Sequence, residues 1–191
     1  MDPVTIVVLF VVLALIGLFV AWFIGVYNSL VSMNRRVDQA KQNIDVLLKQ
    51  RQDELSKLID AASEYMDHEE EVLTALTRAR EQAEQAETPT EQAAADDSVR
   101  QAMAGFKARF EAYPDLRSQS NMLQFQERIT DIESQISDRR EFYNEAVTRH
   151  NTRISQFPYL LFARQFGFDE HELFTADESE KEDVDVAKAF A

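Results

Sequence analysis

Val4 to Val26 reads VTIVVLFVVLALIGLFVAWFIGV, 23 residues without a charged side chain. At about 1.5 Å per residue this segment spans roughly 34 Å, enough to cross a hydrocarbon core with some tilt. A helix buried in a water-soluble core keeps a polar face, and this one has none. Trp22 and Tyr27 stand at its C-terminal end, where aromatic rings favour the membrane interface. A cleaved signal peptide needs a positive start and a shorter apolar run. Here the only early charge is Asp2, so residues 4–26 read as a retained membrane anchor behind a three-residue tail. Arg35, Arg36 and Lys41 follow the span and no Lys or Arg precedes it. The positive-inside rule then predicts a cytoplasmic C-terminal domain on a single-pass cell-membrane protein. Gly17, Ala21 and Gly25 form a small-residue stripe, a pattern that either packs helices or simply reflects membrane-helix composition.

Beyond the anchor the chain reads as helix. Leu30, Met33, Val37, Ala40, Ile44 and Leu47 recur at spacings of three and four, as do Leu55, Leu58, Ala62 and Tyr65, then Val72, Leu76 and Ala79. Such spacing marks a helical stripe buried against neighbouring helices. Arg51 falls near a seam position inside the polar stretch Lys49 to Glu54, where a helix break is expected. Glu81 to Asp97 is polar and interrupted by Pro89, which predicts a loop over 87–97 with Asp97 or Ser98 capping the next helix. That helix presents Met103, Phe106 and Phe110 and ends at a Tyr113-Pro114-Asp115 turn. The last long helix starts near Asn121, with Gln124 as its capping-box partner. Its seam runs Met122, Phe125, Ile129, Ile132, Ile136, Tyr143, Val147, Ile154 and Phe157, with Arg139 and His150 in seam-like positions, and Phe157-Pro158 stops it.

Tyr159 to Phe168, YLLFARQFGF, is aromatic-rich with Arg164 as its only charge. It reads as a short helix capping the bundle, or as an interfacial segment for membrane or partner. Asp169 to Asp185 holds nine acidic residues against Lys181 and reads as disordered. The expected architecture is all-α: a transmembrane helix continuing into an up-and-down antiparallel four-helix bundle over 27–174, then an acidic tail over 175–191.

Composition sets limits on chemistry. The net charge of -14 disfavours nucleic-acid binding. The 14 Arg against 6 Lys, together with the acidity, fit a halophilic (haloarchaeal) source or a GC-rich genome. With no Cys, disulfides and thiolate metal sites are excluded. Asp67-His68-Glu69-Glu70-Glu71 is the densest polar cluster, but it lacks the second His of a His-Glu-x-x-His site and has no partner Glu-x-x-His. A metal-binding or hydrolytic bundle centred on His68 and Glu69 is therefore the alternative, and a solvated helix face the simpler reading. Arg139 is expected to pair with Glu133 or another carboxylate. Asn144 and Asn151, one heptad apart, are expected to bond to a facing helix, and His150 to be a hydrogen-bonded core or edge group. No Gly-rich phosphate loop or nucleophile triad is present. The chain is thus expected to be no enzyme, with no cofactor or small-molecule substrate. Its partners would be the bilayer and a membrane protein or a second copy of itself.

Ordered strings also carry a resemblance. Tyr27-Asn28-Ser29-Leu30-Val31 follows the anchor, then Ile44-Asp45-Val46-x-Leu48-Lys49, Tyr65-x-x-His68-Glu69 and Val72-Leu73-x-Ala75-x-x-Arg78-Ala79-Arg80. Ala112-Tyr113-Pro114-Asp115-Leu116, Tyr143-Asn144-x-x-Val147, Asn151-Thr152-x-Ile154-x-x-Phe157-Pro158 and Phe166-Gly167-Phe168 complete the series. In order and spacing this resembles the LemA family over roughly 27–174. The resemblance implies one N-terminal anchor, a four-helix bundle, no defined enzymatic activity and a link to membrane-protein quality control. Lys41, Leu55-Ser56-Lys57 and His150 depart from the family pattern. The missing proline at 55–57 leaves a kinked continuous helix there as the alternative to a break.

Overall fold

The computed structural model describes residues 2–66, 69–113 and 120–174. Five helices fill most of that chain: α1 Pro3–Ser63, α2 Glu70–Gln85, α3 Pro89–Phe110, α4 Ser120–Ile154 and α5 Tyr159–Phe166. No strand occurs among the described residues. The expected Pro114-Asp115 turn, His68 and the acidic tail over 175–191 lie outside them.

Helix α1 does not break at 49–57 but runs on to Ser63. Leu48, Arg51, Leu55, Leu58 and Ala62 are all buried, at spacings of three and four. Arg51 thus continues the seam rather than ending it. Along the helix Lys49 reaches the exposed Asp53 at 3.4 Å and Lys57 reaches the buried Glu54 at 2.8 Å, pairs that suit a continuous helix. The chain turns later, through Tyr65 and Met66, whose N–H groups both donate to the Ala62 carbonyl.

The predicted loop over 87–97 is instead the first turns of α3. Thr88 is the N-cap: its hydroxyl accepts from Glu91 N–H at 3.2 Å, and Glu91 accepts from Thr88 N–H at 3.1 Å. Pro89 occupies the first helical position, where the missing N–H costs nothing and the fixed φ suits a helix. A proline read as a breaker is a starter here because Thr88 and Glu91 form a capping box around it. At the other end α4 stops at Ile154, before Phe157-Pro158, and Asn121 lies within its first turn rather than at its cap.

The described residues form two compact units, 2–40 with Glu145–His171, and those of Lys41–Asn144 with 172–174. In the second, Leu55, Leu58 and Met66 from the α1 end, Leu76 and Ala79 from α2, Val99 and Phe106 from α3, and Met122 and Ile129 from α4 share one core. Four helical segments pooling one apolar stripe each is the four-helix arrangement the periodicity predicts. The turn at 86–88 is short, so α2 and α3 are antiparallel neighbours. In the first unit Leu30, Ile154 and Ala163 are buried together, with Tyr159, Phe162 and Phe168 packed around them. The apolar start of α1 has no such cover: none of its most apolar 18-residue window is buried.

Candidate functional site

In the first unit the apolar span ends in an aromatic collar. Helix α5 lies against it. Phe162 meets Trp22 and Phe23 edge-on at 5.8 and 5.3 Å, and Phe166 meets Phe23 and Tyr27 at 6.1 and 5.2 Å. Phe168 adds a contact to Tyr27 at 6.2 Å. Edge-to-face pairs at these separations add to the apolar burial. Gly167 ends α5 in the left-handed region at φ 71, and Phe168 N–H returns to the Ala163 carbonyl at 3.0 Å. That is the helix stop that glycine favours. Pro158 precedes α5 after a cis bond from Phe157. Beside the collar, Phe157 is 80% exposed and Leu161 61%. Arg153 lies over Tyr159 at 4.8 Å. Among the described residues nothing beyond the helix's own backbone stands within 4 Å of a Cβ position at Gly17 or Gly25, so no described segment packs on the small-residue stripe there.

His150 is fully buried in the same unit. Its Nδ1 lies 3.3 Å from Asn151 Oδ1, and its ring meets that of His171 edge-on at 4.8 Å. Asn151 bonds not to a helix but to an extended segment: its amide donates to the His171 carbonyl at 2.9 Å and accepts from His171 N–H at 3.0 Å. The His171 ring lies 2.8 Å from Asn34 Oδ1.

Asn144, in the second unit, repeats this. It donates to the Phe174 carbonyl at 2.8 Å and accepts from Phe174 N–H at 2.9 Å. The expectation that both asparagines face a helix is corrected, and so is the assignment of Asp169 to Phe174 to a disordered stretch. A primary amide matches a peptide group donor for acceptor, so each asparagine satisfies a backbone that has no helix or sheet of its own.

Beside Asn144 lies a charge cluster. Arg51, 2% exposed, donates to Asp96 at 2.5 Å, and Arg140 pairs with the other Asp96 oxygen. The expected seam arginine, Arg139, is exposed and rests near Phe142 at 6.0 Å. Arg140 takes the inward place because Ile136 and Tyr143, four before and three after it, are the buried flanks. Burial lowers the Arg140 pKa, with Asp96 opposing. Burial raises the Glu133 carboxyl, with the Arg51 and Arg100 charges pulling it back and Asp96 adding to the rise. Arg51, Asp96, Glu133, Arg140 and Phe174 line a cavity of about 500 Å³. Its described lining holds no His, Cys, Lys or Tyr. Both Asp96 oxygens are thus engaged by guanidiniums.

Glu69 is engaged as well. It accepts from the Tyr113 hydroxyl at 2.9 Å and lies 3.6 Å from Arg109 Nε. The Glu69 hydrogen bond comes first among the causes that raise the Tyr113 pKa. His68 lies outside the described residues. Among the described residues no group of three His, Cys, Asp or Glu is placed to hold a metal ion. Arg51, Asp96 and Arg140 were not among the residues sequence reasoning singled out as a site. A basic residue in a seam is the signal that could have found them.

The LemA family model matches residues 40–187. Protein LemA of Metamycoplasma hominis is 29% identical over 185 residues, spanning 95% of this chain and 83% of that protein.

Proposed function

This chain belongs to the LemA family, and from that premise we propose that it is a single-pass, membrane-anchored helical interaction protein without catalytic activity. The observation that carries this is the apolar start of α1. It is long and apolar enough to cross a membrane, and the protein buries none of its most apolar window. A surface of that size stays soluble only when lipid or a partner covers it. The collar of Trp22, Phe23 and Tyr27 marks where the span would meet the interface, and α5 sits at that level. Arg35, Arg36 and Lys41 support a cytoplasmic side for the helical domain under the positive-inside rule. Membrane-protein quality control is the process we assign it to, with an integral membrane protein or a second copy as partner.

The second unit supports a non-catalytic reading. Arg51 and Arg140 are paired with Asp96, and the described lining of the cavity beside them holds no His, Cys, Lys or Tyr. Crosslinking of the full chain in native membranes tests the proposal. A discrete crosslinked partner or homo-oligomer is expected; a chain that stays uncrosslinked and monomeric in gentle detergent contradicts it. The exposed Phe157 and Leu161 favour a second role, in which α5 rests in the headgroup region. Replacing both with Ser is expected to reduce fluorescence quenching of Trp22 by headgroup-labelled lipid, and unchanged quenching removes that role.

A further inference from the structure

Glu172, Leu173 and Phe174 lie on the second unit as a bound peptide would. They belong to no helix. Their backbone is held by side chains of α4: the Tyr143 hydroxyl donates to the Glu172 carbonyl at 3.0 Å, and Asn144 makes its two-way amide pair with Phe174. Two side chains are read as well. The Glu172 carboxylate accepts from the Thr90 hydroxyl at 2.5 Å. The Phe174 ring, 7% exposed, sits edge-on to Tyr143 at 5.1 Å, with the Arg140 guanidinium over its face at 4.5 Å. Leu173, between them, is exposed, as is Glu172 itself, whose bond to Thr90 lies at the surface; Phe174 is the buried side chain of the three.

This division is the signature of peptide recognition. Main-chain bonds supply sequence-independent affinity, and pockets for alternate side chains supply selectivity. Phe174 forms one wall of the cavity of about 500 Å³ that Arg51 and Arg140 line, a volume within the range of ligand pockets.

We propose that Tyr143, Asn144, Arg140 and Thr90 form a receptor for an extended peptide with a carboxylate two residues before an aromatic ring. Glu172–Leu173–Phe174 fills it in cis as a pseudo-ligand. The partner is a protein segment of that chemistry, which must displace the chain's own segment to bind. The cis segment therefore lowers the apparent affinity by the fraction of time the socket is open. This deepens the interaction reading and rests on it for its purpose. Crosslinking in membranes reports any partner at all, whereas peptide binding reports this socket alone, so the two fail separately.

The test uses the full chain in detergent and a fluorescent peptide of the sequence of residues 169–176, DEHELFTA, read by anisotropy. Phe174→Ala empties the aromatic pocket and is expected to bind the peptide at least about tenfold tighter than the unmodified chain. Adding Asn144→Ala is expected to abolish that gain. A peptide with its Phe replaced by Ala is expected not to bind either protein, a control that leaves the protein's fold untouched. No binding to a folded Phe174→Ala chain overturns the proposal, as does equal binding of the two peptides. Should Phe174→Ala lose helicity, the unmodified chain decides. It must bind the native peptide at millimolar concentration and discriminate against the Ala peptide, and failure there also overturns the proposal.

Discussion

Asp96 shows how much a single buried carboxylate can hold. It is 8% exposed and pairs with Arg51 and Arg140 at once, one oxygen to each. Removing one partner of a buried charge set strands the others, at a cost of about 3–5 kcal/mol. Asp96→Ala is expected to lower unfolding stability by that amount in denaturant titration. Replacing all three by apolar residues, Arg51→Met with Asp96→Leu and Arg140→Met, is expected to restore most of it, since well-packed apolar groups avoid the desolvation cost. Restoration would mean the cluster fixes register rather than supplying net stability. Glu91 gives the pH dependence at the same scale. Backbone N–H donors from Thr88, then Glu87, hold its carboxyl below the ordinary value of 4.5. Its contribution is present above that value and is lost as pH falls through the lower folded value. Glu91→Gln is therefore expected to flatten the stability profile below about pH 4.5, measured by thermal melts, and an unchanged slope contradicts the assignment.

The helices show which signals the chain makes legible and which it hides. The seam positions Leu55, Leu58 and Ala62, or Ile129, Ile132 and Ile136, are apolar, and all are buried. Periodicity finds them because hydrophobic burial is non-directional and needs only the right face. Arg51 in the same seam reads as an interruption, because the partner that makes it tolerable, Asp96, lies 45 positions away. Pro89 misleads in the opposite sense, since Thr88 and Glu91 convert a breaker into a first-turn residue. Arg139 and Arg140 differ by one position. A strict seven-residue count selects the first, while the 3.6-residue period drifts to the second. Helix α5 has its own local test. Gly167 ends it with a positive φ, which an L side chain adopts at a cost of about 1 kcal/mol. Gly167→Ala is expected to destabilise the first unit by about that much, and Gly167→Asn by less, since Asn tolerates this conformation. Equal effects, or none, would place the helix stop elsewhere.

For the whole molecule, the helical class and an N-terminal helix long and apolar enough to cross a membrane are legible from residue 4 onward, because of the 23 uncharged residues there. The fastening of the C-terminal segment is not. Acidic composition over 169–185 argues for disorder, yet Asn144 and Asn151 hold His171 and Phe174 by backbone bonds, each within its own unit. Amide-to-backbone pairing leaves no pattern in the partner sequence, so composition alone misses it. The central claim is that α1 anchors the protein in a bilayer. Alkaline carbonate extraction of membranes containing the full chain tests it most directly. The protein is expected to stay in the membrane pellet, and Leu13→Arg with Ile16→Arg to release it, because two charges at the span's centre make insertion costly. Release of the unmodified chain into the supernatant would contradict the account.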